Sequence, residues 1–261
     1  MNTFNELSVI LPTLNEEKNL EYLIPELISI MMVEKIENFE ILVVDDGSTD
    51  GTFKLLDSFK ANYGNVRLIE NTPALNLPLS INKGIDLSKY DYVMWLDADG
   101  SMGSKAVQKL IREIKNKPDY AVIGSRFVEG GGYKGQSEEG SETILKVIKN
   151  IINSEDSILA VYLSKVFNNL LKIILKSNVK DITSGFIVGR KEYFVSESFQ
   201  NSVYGEYFIK VISNLEKNKV SISEVGYYCT PRQFGESKTS SSYLRLINLA
   251  LPYIKAALNY R

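Results

Sequence analysis

In the first half of this chain, short apolar runs alternate with helix-patterned stretches, and three of the runs break into acidic or polar turns. "LSVILP" (7–12) reads as a buried strand, and "NEEKNLEYLIPELISIM" as an amphipathic helix with an acidic start. "FEILVVDDGSTDGT" (39–52) is a second strand ending in an Asp/Gly/Ser/Thr turn, followed by the helix "TFKLLDSFKAN". "NVRLIE" is a third strand, "LPLSINKGIDLS" a loop entering a helix, and "YDYVMWLDADG" a fourth strand before the helix "GSKAVQKLIREIKN". "YAVIGSRF" is a fifth. This alternation predicts an α/β fold, Rossmann-like, with a mostly parallel central sheet and helices on both faces. Ligands of such sheets gather at the carboxyl ends of the strands. The turns "PTLNEE", "DDGSTDG" and "DADGS" converge there.

The fourth run poses the sharpest chemical question. Asp97 and Asp99 are like charges one residue apart at the tip of a buried strand. Each raises the other's pKa, and burial raises both further, so something must compensate. A divalent cation does so with few groups. An Asp-x-Asp turn can offer two hard oxygens to Mg²⁺ or Mn²⁺ and leave positions open for phosphate oxygens. The ion then neutralises a diphosphate as it leaves. The bland reading is a solvated turn with N-capping aspartates. In "VVDDGSTDGT", Asp45 and Asp46 fall at a strand's carboxyl end, where a carboxylate accepts from a ribose hydroxyl or a base N–H. Gly47 and Gly51 permit close backbone approach. Ser48 or Asp50 can also cap the next helix.

Composition narrows the chemistry. The 261 residues, 44% hydrophobic and 24% charged, suit one large domain or two small ones. A net charge of −2 gives no broad basic footprint, so no nucleic-acid partner is expected. One cysteine, Cys229, excludes an internal disulfide and a multi-cysteine zinc site, and suits a reducing compartment. No histidine is present, which removes Ser-His-Asp and Cys-His catalysis and histidine-ligated zinc. Proton transfer must use carboxylates, Lys, Tyr or the substrate itself. The N-terminus has no signal-peptide pattern, and no apolar run reaches the ~18 residues of a spanning helix.

Beyond Phe127 the character changes. "VEGGGYKGQSEEGSE" is Gly-rich and charged and is expected to form a surface loop. "ILAVYLSKVFNNLLKIILK" (158–176) is an amphipathic helix whose Lys165, Lys172 and Lys176 share a face, within about 40° on a helical wheel. "KDITSGFIVGRKEYF" reads as turn, strand and short helix. "VSISEVGYYCTPRQFGESKTSSS" reads as a strand leading into a basic, Ser-rich loop.

Six motifs in this order, "ILPTLNEEKNL", "VVDDGSTDGT", "WLDADGS", "GSRFVEGGG", "DITSGF" and "RQFGESK", resemble family 2 glycosyltransferases of GT-A fold. They are most similar to the branch of dolichol-phosphate mannose synthases and bacterial polyprenyl-phosphate relatives. The resemblance covers roughly residues 7–240 and implies a GT-A domain over 1–240 with a C-terminal amphipathic helical tail over 241–261. It implies that Pro12, Asn15, Glu16, Asp45 and Asp46 bind the nucleotide. Asp97 and Asp99, with Ser101 as a third candidate, would hold the metal and the diphosphate. Arg126, Arg232 and Lys238 would face phosphates, since a guanidinium pairs with phosphate bidentately. Asp99, Arg126 and Arg232 would carry the catalysis.

The implied reaction is inverting transfer of a hexose from a GDP- or UDP-sugar to a polyprenyl or dolichyl phosphate. A lipid phosphate is already ionised and needs no base, so positioning and charge neutralisation suffice. Such an acceptor implies a cytoplasmic enzyme, peripheral at the inner face of the membrane. The 158–176 helix and the 243–261 stretch are candidates for the surface contact. Either can equally pack on the core or on a second copy of the chain, and a membrane anchor is then either supplied by a partner or unnecessary. Ser101 stands where many relatives carry Gln, Ile187 where they often carry Arg, and "VYGEYFIKVI" lacks their usual glutamine and glutamate, so the sugar stays open.

Three other readings compete. A family member acting on a saccharide hydroxyl needs a base, for which Glu206 and Asp181 are the candidates. A non-enzymatic receiver-like module shares the acidic pair, but such domains run to about half this length. A nucleotidyltransferase of similar topology wants a glycine-rich loop after the first strand, and "PTLNEEKN" has no glycine.

Overall fold

The computed structural model describes residues 4–132, 158–230, 234 and 243–260. Among these residues seven strands form one sheet in the order β3-β2-β1-β4-β6-β5-β7. The strands are β1 (Glu6–Thr13), β2 (Asn38–Asp45), β3 (Val66–Glu70), β4 (Tyr92–Trp95), β5 (Ala121–Ser125), β6 (Ile187–Arg190) and β7 (Ile222–Gly226). The helices are α1 (Glu17–Val33), α2 (Thr52–Asn62), α3 (Leu77–Leu87), α4 (Ser104–Asn116), α5 (Ile158–Leu175), α6 (Tyr207–Lys217) and α7 (Tyr243–Asn259).

Strand alternation sorts the core into two layers. Leu7, Val9, Leu11, Ile41, Val43 and Met94 point to one face, where they meet α1, α2 and α4. Ile10, Leu42, Val44, Val93, Trp95 and Ile187 point to the other, toward α3, α5, α6 and α7. Both faces are covered, which is why β1 and β2 read as near-continuous apolar runs rather than as alternating ones. On α1 the buried residues Leu20, Leu23, Ile24, Leu27, Ile28 and Met31 recur at helical spacing and form one stripe. Gly84 lets α3 lie close on the sheet, because a Cβ there would stand 2.5 Å from Ile10 Cγ2.

The strand directions place the site. β1 pairs in parallel with β2 on one side and β4 on the other. The strand order therefore reverses at β1, and the crevice of an open α/β sheet lies outside the carboxyl ends at such a point. β6 runs antiparallel to both β4 and β5, while β5 and β7 are parallel. The loops after β1, β2, β4, β5 and β7, and the turn before β6, thus share one edge. The stretch set apart in sequence as a C-terminal tail, α7, buries Ala256 and Ala257 in the second layer and sets Tyr253 edge-on to Phe167 of α5 at 5.9 Å.

Candidate active site

The loops after β1 and β2 are stitched to each other. Thr13 and Asp45 end their strands in register, and Asp46 N–H donates to the Thr13 carbonyl at 2.9 Å. Asn15 adopts φ +58°, a left-handed conformation that Asn accepts more readily than most residues. There its N–H donates to Ser48 Oγ at 2.8 Å, and its Oδ1 accepts from Thr49 N–H at 2.7 Å. Asp45 is buried and folds the "DGS" turn over itself, with Oδ2 accepting from the N–H groups of Gly47 and Ser48 and Oδ1 from Ser48 Oγ. Gly47 at φ +87° makes that turn possible. Asp46 Oδ1 accepts from Leu75 N–H at 2.6 Å and Asn71 Nδ2 at 3.1 Å, which fastens the chain leading into α3. Glu16 is half-buried and accepts from Asn19 Nδ2 at 2.6 Å. Asn19 Nδ2 also donates to the Phe234 carbonyl at 3.3 Å, and the Phe234 ring stacks on Tyr22. Pro12 sits in β1 opposite Val44.

The acidic turn after β4 is held from below and from the far end of the chain. Asp99 and Ser101 are buried, and Asp99 Oδ1 accepts from Ser101 N–H at 2.9 Å. Thr230, beyond β7, donates its N–H to the Ser101 carbonyl at 2.9 Å and its Oγ1 to the Gly100 carbonyl at 2.8 Å. Asp97 is half-buried in the same turn. Burial raises the pKa of the Tyr207, Tyr227 and Tyr253 phenols, and the negative charge of Asp97 adds to the rise in each. No group of three or more Asp, Glu, Cys or His side chains able to hold a metal occurs among the described residues.

Arg126 is not presented as a loose cation. Its Nε and Nη2 form a two-pronged pair with Asp181, both at 2.8 Å, its backbone N–H donates to the same carboxylate at 2.9 Å, and Nη2 also reaches Thr183 Oγ1 at 3.0 Å. Asp181 is fully buried. Glu206, the other carboxylate that sequence alone offers as a base, is buried and accepts from the N–H groups of Val203 at 2.6 Å and Tyr204 at 3.0 Å. Arg232 and Lys238 lie outside the described residues.

The structure thus assembles the sequence candidates at one edge. Pro12, Asn15, Glu16, Asp45 and Asp46 lie on the side of β1 and β2, and Asp97, Asp99, Ser101 and Arg126 on the side of β4 and β5. Sequence reasoning missed Asp181 as the brace of Arg126, and missed Tyr207, Tyr227 and Tyr253 altogether. With 15 tyrosines in the chain, residue type carries no signal for which phenols carry shifted pKa values at this edge.

A sheet of this order, with an acidic turn at the switch point and an antiparallel strand inserted after it, defines a GT-A fold. Glucosyl-3-phosphoglycerate synthase from Mycobacterium tuberculosis, solved in complex with Mn²⁺, UDP and phosphoglyceric acid, has the same fold. It superposes with a TM-score of 0.65 at 16% identity, over 98% of this chain and 78% of its own. The glycosyl transferase family 2 profile matches residues 8–196, and the chain belongs to that family. It is 33% identical to a dolichol-phosphate mannosyltransferase of Pyrococcus furiosus over 93% of its own length, spanning 62% of that relative. It is 28% identical to a polyprenol monophosphomannose synthase of Mycolicibacterium smegmatis over 91% of its length and 82% of the relative's. A poly(ribitol-phosphate) β-N-acetylglucosaminyltransferase of Staphylococcus aureus is 26% identical over 84% of this chain and 67% of its own.

Proposed function

We propose that the protein is an inverting glycosyltransferase that moves a hexose from a nucleoside diphosphate sugar to a polyprenyl phosphate. The observation that carries this reading is that both candidate bases are already committed: Asp181 to Arg126, and Glu206 to two backbone N–H groups. An acceptor that arrives ionised makes a base unnecessary. The acceptors named in the Pyrococcus and Mycolicibacterium relatives support it.

In this reading the 12–16 and 45–51 loops bind the nucleoside. Asp97 and Asp99 face the diphosphate with Mg²⁺ or Mn²⁺. Their donor set fits such an ion: two hard oxygens from the protein, with phosphate oxygens and water completing the shell. When bound, the ion neutralises the charge that grows on the departing diphosphate. Arg126, held rigid by Asp181, would offer its remaining N–H groups to phosphate, and Arg232 and Lys238, outside the described residues, would add positive charge. An acceptor oxygen attacks the anomeric carbon as the bond to the nucleoside diphosphate breaks, and no proton changes hands.

The reading extends to the membrane surface. Leu163, Val166, Leu170 and Ile173 form an exposed stripe on α5, with Ile173 75% exposed, and Leu251 and Leu258 of the neighbouring α7 are also exposed. Lys165, and Lys176 just past the helix end, are exposed beside that stripe and suit anionic headgroups. No helix among the described residues is long and apolar enough to cross a membrane. We assign the α5–α7 face to a peripheral contact with the cytoplasmic leaflet.

The test is a donor–acceptor assay with UDP- and GDP-sugars, Mg²⁺ or Mn²⁺, and a short polyprenyl phosphate present or absent. Lipid-dependent sugar transfer, lost in Asp99→Ala, is the expected result. Transfer that ignores the lipid and answers to a polyol or saccharide hydroxyl would favour the second reading, for which the Staphylococcus relative is the precedent.

A further inference from the structure

We infer that Asn168 of α5 is a positioning residue for the acceptor phosphate: its carboxamide holds the 180–183 turn, and with it the Asp181 carboxylate that fixes Arg126. The inference rests on the reading of Arg126 as a group that meets the phosphate of a polyprenyl acceptor.

Asn168 shares one stripe of α5 with Leu171 and Leu175, both buried. An apolar residue is expected at such a place. Asparagine is a poor helix former, and this one is only 1% exposed. Its bonds account for it. Nδ2 donates to the Lys180 carbonyl at 2.5 Å, Oδ1 accepts from the Ile182 N–H at 3.1 Å, and the Thr183 hydroxyl reaches Oδ1 at 3.4 Å. A carboxamide carries its donor and its acceptor on separate atoms, and reversing it would set N–H against N–H and oxygen against oxygen.

β7 holds the same turn from another side. Glu224 Oε2 accepts from the Lys180 N–H at 2.7 Å and Oε1 from the Asp181 N–H at 3.0 Å. The N–H groups of residues 180, 181 and 182 are thus all bound by side chains of α5 or β7. With the backbone fixed, the buried Asp181 carboxylate meets Nε and Nη2 of Arg126 in one arrangement, both at 2.8 Å. The effect should fall on the acceptor. The exposed Leu163, Val166, Leu170 and Ile173 centre about 180° from Asn168 around α5, at 3.6 residues per turn. The stripe assigned to the membrane surface and the residue that grips the turn are therefore back to back on one helix. The nucleotide loops 12–16 and 45–51 follow β1 and β2, away from the β6–β7 side where Asn168 and Glu224 hold the turn. The bland alternative is that Asn168 only ties α5 to the fold.

Calorimetric titration of the full chain with a short polyprenyl phosphate, with Mn²⁺ and UDP or GDP present, separates the two. Asn168→Ala should weaken acceptor affinity about tenfold, the scale of a displaced hydrogen bond to a charged group, and leave nucleotide affinity unchanged. Asn168→Ser, whose hydroxyl still donates and accepts, should fall between and serves should the alanine variant not fold. Leu171→Ala loosens the same helix without touching the turn, and should lower Tm while keeping acceptor affinity. Arg126→Gln should weaken the acceptor as well, and adding Asn168→Ala to it should bring little further loss, because both act through one group. Full acceptor affinity in both Asn168 variants, with affinity lost in Arg126→Gln, would overturn the positioning role alone. So would a loss that adds in full to that of Arg126→Gln, an equal loss in Leu171→Ala, or an equal loss of nucleotide affinity. Full affinity in Arg126→Gln, or an unaltered chain that binds no polyprenyl phosphate, would remove the underlying reading and the inference with it.

Discussion

The two halves of the catalytic edge are built differently. On the β1–β2 side, Asn15, Asp45, Asp46, Ser48, Asp50 and Glu17 share many short bonds, mostly between a side chain and a backbone N–H. On the β4–β5 side a few pairs, buried or partly buried except at Thr230, join distant parts of the chain: Arg126 with Asp181, Trp95 with Tyr207, Thr230 with the carbonyls of Gly100 and Ser101. The first half is redundant and partly wet, so losing one bond leaves the rest. The second half is drier around Asp181 and Trp95, and its bonds are fewer and longer in sequence range. An unpaired group there keeps its full desolvation cost. The difference predicts that mutations on the two sides will rank by side rather than by the number of bonds removed.

The largest effect is expected at Asp181. Replacing it by Ala strands the Arg126 guanidinium, whose side chain is only 17% exposed. Breaking a buried pair from one side costs about 3–5 kcal/mol, read as a drop in urea midpoint at unchanged slope. Replacing both partners, Arg126→Met with Asp181→Leu, should recover part of the stability, because the backbone N–H groups of residues 126 and 183 stay without the carboxylate that accepts from them, and none of the transfer activity. A double variant that stays active would show that Arg126 serves the fold alone.

Next comes Gly205, on the same side. A Cβ there would sit 2.1 Å from Tyr253 Oη. Gly205→Ala must therefore push Tyr253 and α7 outward, an overpacking cost of about 1–3 kcal/mol. Adding Tyr253→Phe removes the clashing oxygen and leaves Cζ 3.2 Å away, so it should return part of the loss. If the double variant is no more stable than Gly205→Ala, α7 is not held against the site through this contact.

The third ranks lower and lies on the β1–β2 side. At φ +58°, Asn15→Ala should cost about 1–2 kcal/mol, because a Cβ is disfavoured in the left-handed region. Asn15→Gly should cost less in stability, yet both lose the acceptor for Thr49 N–H and should weaken nucleotide binding alike. A cost at Asn15 above that at Asp181 would break the comparison outright.

The same contrast explains what was readable from the sequence. The β1–β2 half is local: Asp45, Gly47 and Ser48 build their turn within four residues, and turn residues at fixed spacing are what a sequence displays. The alternation of apolar runs likewise gave the parallel sheet and its carboxyl edge. The other half was hidden because its partners are set by tertiary pairing. Nothing in "DITSGF" says that Asp181 will brace Arg126 rather than act as a base, and nothing in "GEYFIKV" says which tyrosine meets the indole of Trp95. The antiparallel insertion of β6 makes both encounters, and strand order is not written in local pattern. The helix over 158–176 was legible as amphipathic. Its division into one face on the core and a separate exposed apolar stripe became visible only once α7 was seen packed beside it.

The smallest effect is at Asp50, and it sharpens the redundancy of the β1–β2 half. Burial pushes its pKa up slightly, but hydrogen bonds from Thr52 and Glu17 outweigh that and hold it below the unfolded value of 3.8. A carboxylate with a depressed folded pKa contributes stability that is fully present above the unfolded pKa and is lost as pH falls through the folded one. Asp50 is exposed, so solvent screens the contribution and it should be small. Asp50→Asn should therefore show a slight deficit in urea midpoint at neutral pH, and that deficit should shrink as the pH drops below about 3.8. A deficit that persists undiminished in acid would mean that the amide fails for geometric reasons. The 48–52 turn would then depend on Asp50 itself, and the redundancy ascribed to this half of the site would not hold there.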